Sequence, residues 1–515
     1  MEGHRELDIA GRAAFGLLIL AFGCAAASTA SDLERAMELA GSGAWDQARA
    51  ALLAGARRNP DDKRYPLELA GIEYRRKNPA AAKRYLRRAL ELDSADRYAN
   101  DFLGTLCYLE GNLEAALRYW NRIEKPRVDD VKIVPAPRLN PVVVDSALAF
   151  APGSLVTLDG WRTTRARLDG LDVFGNYRLE VRAETQERFD AELGWLRPSA
   201  WMTAVSMVRG LAYETVEPEL RDIGGSGSNW TSLVRWDAQK RRAATELAGP
   251  LMHNAKWRYR WYADARSETW NTGGVEDFRL RKVATGAEFE AIPNGTVTWR
   301  SGFEVSSRGL ANLAEFRGGT AVAYRAGLTY QVLDSPEKRF TLGSNATWEL
   351  GRMVSGARDL YGHAQITLTA RWMPLARGQD YAVKTRISAG TAQGSTPVDE
   401  LFLLGIERDN DLWLRGHAGT IEGKKGSEPV GRNYFLANWD IHKEVYRHAL
   451  FTVEAGPFVD TAKTNDVFGR AGFRRWLVDT GVEGALRLPI GLRATLVYGR
   501  DLRGGGRAIY ATVGR

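Results

Sequence analysis

The residues able to do acid–base, nucleophilic or metal chemistry are few in this chain and far apart. Its six histidines are His4, His253, His363, His417, His442 and His448, and no H-E-x-x-H or C-x-x-C spacing occurs. Metal centres need such spacing because three or four ligands must converge on one ion. Gly224-Gly225-Ser226-Gly227-Ser228 has the punctuation of a phosphate loop but lacks the following Lys, so it reads as a hairpin loop. No G-x-S-x-G elbow is present. The sequence therefore predicts no enzyme, no catalytic residue, no cofactor and no metal site. The informative residues are Gly, Arg, Asp and aromatics grouped between Pro397 and Gly514. They read Thr396-Pro397-Val398-Asp399-Glu400-Leu401-Phe402-Leu403-Leu404-Gly405, then Asp411-Leu412-Trp413-Leu414-Arg415-Gly416-His417, then Gly456-Pro457-Phe458-Val459-Asp460, then Asp479 to Pro489 with Gly481, Gly484 and Arg487, then Tyr498-Gly499-Arg500-Asp501.

The elements that must position these residues are bounded by composition. The chain has 515 residues, 44% hydrophobic and 26% charged, too polar for a bundle of membrane helices. The one notable apolar run, Ala13 to Ala27, is shorter than the ~20 residues a spanning helix needs. Residues 1–30 read as a secretory signal: Arg5 and Arg12 supply charge, Ala13–Cys24 the apolar core, Ala25-Ala26-Ala27 the cleavage site. Cleavage there removes Cys24 and leaves Cys107 without an intramolecular disulfide partner; lipidation of Cys24 is the other reading. The net charge of +8 is spread along the chain with no run of five basic residues, so no nucleic-acid partner is expected.

Residues 31–126 carry a 34-residue period: Ala48, Ala82, Ala116; Leu52, Leu86, Trp120; Gly55, Ala89, Ile123. Small residues at one position let helices approach, and large apolar ones fill the groove beside them. This resembles the tetratricopeptide repeat in three copies, which implies a docking module for a periplasmic protein partner. Residues 127–141 read as a linker, since Pro135, Pro137 and Pro141 cannot continue a helix. In residues 142–197, an extended run from Pro141 to Ala149 precedes a helix holding Leu158, Trp161 and Leu168. Two alternating strands follow, around Tyr177–Arg182 and Phe189–Leu193. The order and the turn Gly170-Leu171-Asp172-Val173-Phe174 resemble a POTRA domain, which implies sheet-edge pairing with extended client chains.

Residues 198–515 are read as strands. Trp257, Tyr259, Trp261, Ala263 and Ala265 share one face, and Arg258, Arg260, Tyr262, Asp264 and Arg266 the other. Val297, Trp299, Phe303 and Val305 oppose Thr298, Arg300 and Glu304 in the same way. An apolar face backed by a charged one fits a transmembrane barrel with a wet lumen. Twelve of the 16 Trp lie at or after Trp201, as aromatic girdles require. Fourteen strand-like segments can be marked, nine before residue 400, the first near Met202, and five after residue 430. Residues 392–432 then form a loop opposite the termini.

With these strings in that order, the chain resembles the outer-membrane barrel-assembly superfamily (bacterial surface antigen, BamA/TamA type). That family carries a V/L-R-G-F/Y motif on a loop folded into the barrel and an F-x-D-x-G motif on the second strand after it. Leu414-Arg415-Gly416-His417 matches the first, with His417 in place of the aromatic; Phe458 and Asp460 match the second, with Ala462 in place of Gly. Gly481, Gly484, Arg487 and Pro489 form the C-terminal barrel motif. The resemblance implies a sixteen-stranded barrel in the outer membrane of a bacterial cell, with its N-terminal domains in the periplasm and outer-membrane lipid around it. It also implies an Arg415–Asp460 pair holding the loop, and a seam between a first strand near Met202–Glu214 and a last strand Ala508–Arg515. Client outer-membrane or secreted proteins would be inserted or translocated there. A guanidinium entering a lumen needs a fixed carboxylate, which it meets through two parallel hydrogen bonds. Gly416 is expected to permit a turn a side chain would forbid. The alternative is an exopolysaccharide export pore on a tetratricopeptide scaffold, or a lipid-transport barrel of the same superfamily.

Overall fold

The computed structural model describes residues 29–514 apart from 175–176, 186–187, 197–199, 274, 314–315, 317, 356–358, 376–380, 449–450 and 489–491. The signal region up to residue 28, Cys24, Pro489 and Arg515 lie outside the described residues. The chain divides into two compact units.

The first unit is built on six helices: α1 Thr29–Gly41, α2 Trp45–Arg58, α3 Arg64–Arg75, α4 Pro79–Leu92, α5 Arg97–Leu109 and α6 Leu113–Trp120. Asn78, Asp96 and Asn112 start three of them by accepting the backbone N–H three residues on. The periodic residues point inward: Ala48, Ala82, Ala116, Leu52, Leu86 and Trp120 are all buried. A methyl group on Gly104 would lie 2.6 Å from Trp120 Nε1, so this glycine makes room for the indole. Tyr108 on α5 donates its hydroxyl to Val181 O (3.0 Å) and accepts from Ala183 N (3.4 Å).

The small α/β domain contains β1 Val128–Val134, α7 Pro141–Ala147, α8 Leu158–Leu171, β2 Tyr177–Ala183 and β3 Phe189–Trp195. Its sheet order is β1-β3-β2. Two expectations are corrected. Residues 128–134 are a strand inside the proposed linker, and Pro141–Ala147 is helical rather than extended. Asn140 accepts Val142 N, and Pro141 occupies the first helical turn, where its missing N–H costs nothing.

The second unit contains the barrel. Its long strands are β6 Asn229–Trp236, β7 Lys240–Leu251, β8 Asn254–Trp270, β9 Phe278–Ala291, β10 Val297–Ala311, β11 Gly319–Ser335, β12 Phe340–Met353, β13 Leu360–Trp372 and β14 Tyr381–Gly394. After the long loop come β18 Val430–His448, β19 Phe451–Asp466, β20 Leu477–Arg487, β21 Arg493–Asp501 and β22 Arg507–Gly514. Consecutive long strands pair antiparallel, and β14 pairs with β18 across the loop. Preceding them, β4 Thr215–Val216 and β5 Glu219–Leu220 form one interrupted strand on β6, broken at Pro218, and the sheet closes from β22 to β4. This is an antiparallel barrel of about sixteen crossings.

Trp236 N donates to Glu214 O at one end of β6, while Asn140 N donates to Gly225 O at the other. The first strand is preceded by a helix, α9 Ala200–Val208. The strand expected near Met202 is this helix, and β7 is a strand the pattern did not reveal. The run Ala200-Trp201-Met202-Thr203-Ala204-Val205 has no period-2 alternation, and its Ala and Met favour helix. Among the described residues no helix is long and apolar enough to cross a membrane.

The barrel is inverted relative to a soluble core. Phe303 (62%), Leu350 (63%) and Ile509 (74%) are exposed on the outer face, with Trp257, Trp261 and Trp299 also exposed. Inside, Arg258 pairs with Glu290 (2.6 Å) and Arg260 with Glu288 (3.0 Å) and Glu246 (2.7 Å). The predicted faces of β8 and β10 are those observed, and the arrangement suits lipid outside and water within.

Candidate functional site: the inward loop and its anchors

Residues 395–429 connect β14 to β18 and include the short segments β15 Phe402–Leu403, β16 Thr420–Ile421 and β17 Lys424–Lys425. They touch wall residues from β6 to β10 and from β18 to β21, so the loop occupies the lumen. Apolar residues make the filler: Val398, Leu404, Leu414 and Val430 are fully buried against Trp270, Phe278 and Leu436.

Arg415 forms the densest anchor. Its Nε donates to Asp460 Oδ2 (3.0 Å), its Nη2 to Asp460 Oδ1 (2.6 Å), and its backbone N to Oδ2 (2.9 Å). Nη1 reaches Asp440 (2.5 Å) and Glu483 (3.2 Å), and the guanidinium carbon lies 3.7 Å from the Phe458 ring centre. Asn438 Nδ2 supports the pair by donating to Asp460 Oδ1 (2.8 Å). Burial opposes the charge on Arg415, but the hydrogen bonds and charges of Asp460 and Asp440 outweigh it and hold the group above its ordinary value. The predicted pair is thus in contact, and Asp440 and Glu483 join it.

Gly416 serves space rather than a left-handed turn, for its φ is not positive. A Cβ there would sit 2.6 Å from Asp479 Cγ and from Asp501 N, and one on Gly499 would overlap Arg415 O. Two facing glycines therefore let the loop tip lie on the backbone of β21. His417 lies between Asp479 (3.1 Å) and Asp501 (3.5 Å).

Further anchors carry no sequence motif. Asp399 receives Arg308 (2.7 Å) and Lys282 (3.1 Å), and Glu400 receives Arg308 (2.6 Å) and Lys282 (2.7 Å). Burial raises these carboxyls, but Lys282 and Arg308 outweigh it and hold both below the usual range. Asp409 binds Arg235 (2.7 Å) and Arg242 (2.8 Å), and Glu407 binds Lys240 (3.1 Å). Sequence reasoning missed these four acids. Their signal was acidic residues in an apolar segment, facing basic residues on inward strand positions.

The C-terminal motif does not gather at the loop tip. A Cβ on Gly481 would sit 2.7 Å from Phe458, Gly484 has open space, and Arg487 pairs with Glu454 (3.0 Å) at the surface. Pro489 lies outside the described residues.

Loop and seam are joined. Arg408 lies 4.2 Å above the Tyr213 ring and donates to Tyr213 O (3.0 Å), while the Tyr213 hydroxyl donates to Ala511 O on β22 (2.9 Å). On its other side the interrupted first strand pairs only two residues from each of β4 and β5 with β6, against the eight pairs joining β21 and β22.

Glu428 is the exception among the loop acids. It is fully buried, both carboxylate oxygens are without hydrogen-bond partners among the described residues, and burial pushes its pKa up to about 8. Glu407 adds to the rise; Lys425 and Arg470 oppose it. A raised folded value means that stability present below the unfolded pKa is lost as pH rises toward 8, at up to about 1.4 kcal/mol per pH unit. Glu428→Gln is expected to flatten this loss, so its thermal midpoint exceeds wild type at pH 9 and matches it at pH 5. Equal midpoints at pH 9 would contradict the assignment.

No family model and no curated protein matches the sequence. Solved structures do resemble it. CdiB from Escherichia coli aligns with a TM-score of 0.51 and 12% identity, over 76% of this chain and 76% of that one. BamA from Haemophilus ducreyi lacking POTRA domains 1–3 aligns at 0.45 and 11%, over 75% and 84%. CdiB from Acinetobacter baumannii aligns at 0.46 and 11%, over 76% and 74%. At such identity the fold is what is shared. The chain shares the barrel fold of CdiB.

Proposed function

We propose that this protein is an outer-membrane barrel that inserts or translocates client proteins through its seam, with the N-terminal domains in the periplasm. The observation that carries the reading is the seam itself: an interrupted edge strand preceded by a helix, bridged to β22 by the Tyr213 hydroxyl and gripped from inside by Arg408. Unpaired strand edges cannot face lipid, so an edge that opens must offer its backbone groups to another strand. A client strand is such a partner, and its folding supplies the free energy without a nucleotide. The likeness to CdiB in fold supports this reading. The helical array would dock a periplasmic protein. Client addition at the outer edge of β2 would displace the Tyr108 hydroxyl from Val181 and Ala183.

Depletion followed by an inventory of the outer membrane tests the assignment. Loss of barrel or secreted proteins is expected. Loss of surface polysaccharide with normal protein content would replace it with the export-pore reading, and altered lipid alone would replace it with lipid transport.

A further inference from the structure

Beside the Arg415 anchor lies a second buried cluster whose negative charge its neighbours do not balance. His417 on the loop tip, Asp479 on β20 and Asp501 at the end of β21 have side chains 9%, 0% and 8% exposed. The imidazole Nδ1 is 3.1 Å from Asp479 Oδ2, and Nε2 is 3.5 Å from Asp501 Oδ2. One ring nitrogen and one oxygen of each carboxylate lie within 4.8 Å of one another.

Two observations point to a missing ligand. Asp479 Oδ1 is buried and has no hydrogen-bond partner among the described residues, although Oδ2 of the same group accepts from Gly416 N. Two carboxylates also face one imidazole, so even an imidazolium leaves one buried negative charge. The nearby Arg415 is committed to Asp460, Asp440 and Glu483. A buried carboxylate with an orphaned oxygen is costly unless a cation or donor meets it.

We propose that His417, Asp479 and Asp501 form a divalent-cation site of the zinc class. One imidazole nitrogen and an oxygen of each carboxylate are its protein ligands. An imidazole donor favours zinc-like ions over Mg2+ or Ca2+, which prefer oxygen-only sets. A bound ion would tie the loop tip to β20 and β21, the two strands before β22. The site requires only that the loop lie in the lumen; it does not depend on what the barrel transports.

The test uses the full chain, purified in detergent, stripped with chelator and titrated with Zn2+ alone by calorimetry. Wild type is expected to take up one ion per chain and to gain thermal stability on doing so. His417→Phe, which keeps the ring and its edge contact with Phe473 but has no ligand nitrogen, is expected to weaken binding roughly 100-fold or more. Asp479→Asn is expected to behave alike, and Asp501→Asn serves should either variant fail to show folded, heat-modifiable mobility. No stoichiometric uptake by wild type would overturn the site, leaving His417 as a hydrogen-bonded spacer between two carboxylates. Uptake unchanged in the folded variants would do the same by placing the ion elsewhere.

Discussion

Arg415→Ala is expected to destabilise the folded barrel by about 3–5 kcal/mol, the cost of leaving buried carboxylates without their cation. Asp460 and Asp440 take their charge partner from this one guanidinium, Glu483 shares it with Arg493 (3.4 Å), and Asp460 is completely enclosed. The readout is the temperature at which the compact, heat-modifiable band is lost on a gel. Asp460→Ala removes the best-placed acceptor and leaves Arg415 with Asp440 and Glu483, so its effect should be smaller. The double variant should be less damaged than the sum of the two, with a coupling of about 0.5–3 kcal/mol. Additive effects would show that the two side chains contribute separately and that the loop is held by other means.

The second large effect is expected from Asp399→Ala combined with Glu400→Ala. These acids neutralise Lys282 and Arg308, whose side chains are 3% and 0% exposed. Removing both leaves Arg308 on β10 without a carboxylate and Lys282 on β9 with Glu304 alone (3.7 Å), a loss again of about 3–5 kcal/mol. Because the turn Val398–Glu400 fixes the entry of the loop into the lumen, the variant should also conduct ions in planar bilayers more than wild type does. Unchanged stability and conductance would mean that the loop is seated from Arg415 alone.

These two anchors differ in how they could be read from sequence. Arg415 and Asp460 were found because they sit in ordered strings with Gly416 and Phe458. Asp399 and Glu400 stand in the string Thr396 to Gly405, but nothing in it names a partner, and Lys282 and Arg308 are distant in the chain; only barrel closure brings them together. Strand patterning was legible where both faces were well marked, as on β8 and β10. It failed at β7, whose start Lys240-Arg241-Arg242 is charged on both faces and whose end carries Pro250. It also fails at α9, where hydrophobicity without alternation reads as a first strand. A false strand and a missed strand cancel among the fourteen long strands, while the interrupted first strand, β4 and β5, goes unmarked and the seam is misplaced. At β1 the prolines downstream hid a strand that ends before them. Gly416 was recognised as necessary for a turn, whereas the need is for space against Asp479 and the backbone of β21. His417, scattered among six histidines in sequence, meets its two acids only once β20 and β21 flank the loop tip.

In the proposed function, clients pass through the junction of β22 with the interrupted first strand. Tyr213→Cys and Ala511→Cys, in a Cys107→Ser background that removes the buried thiol, place two thiols where the tyrosine side chain now spans the gap. A cleavable bismaleimide of matching span would lock the junction in the folded protein. Client insertion into vesicles carrying the locked barrel should fall to background and return when the spacer is cut. Insertion at the wild-type rate with the lock in place would contradict passage through the seam.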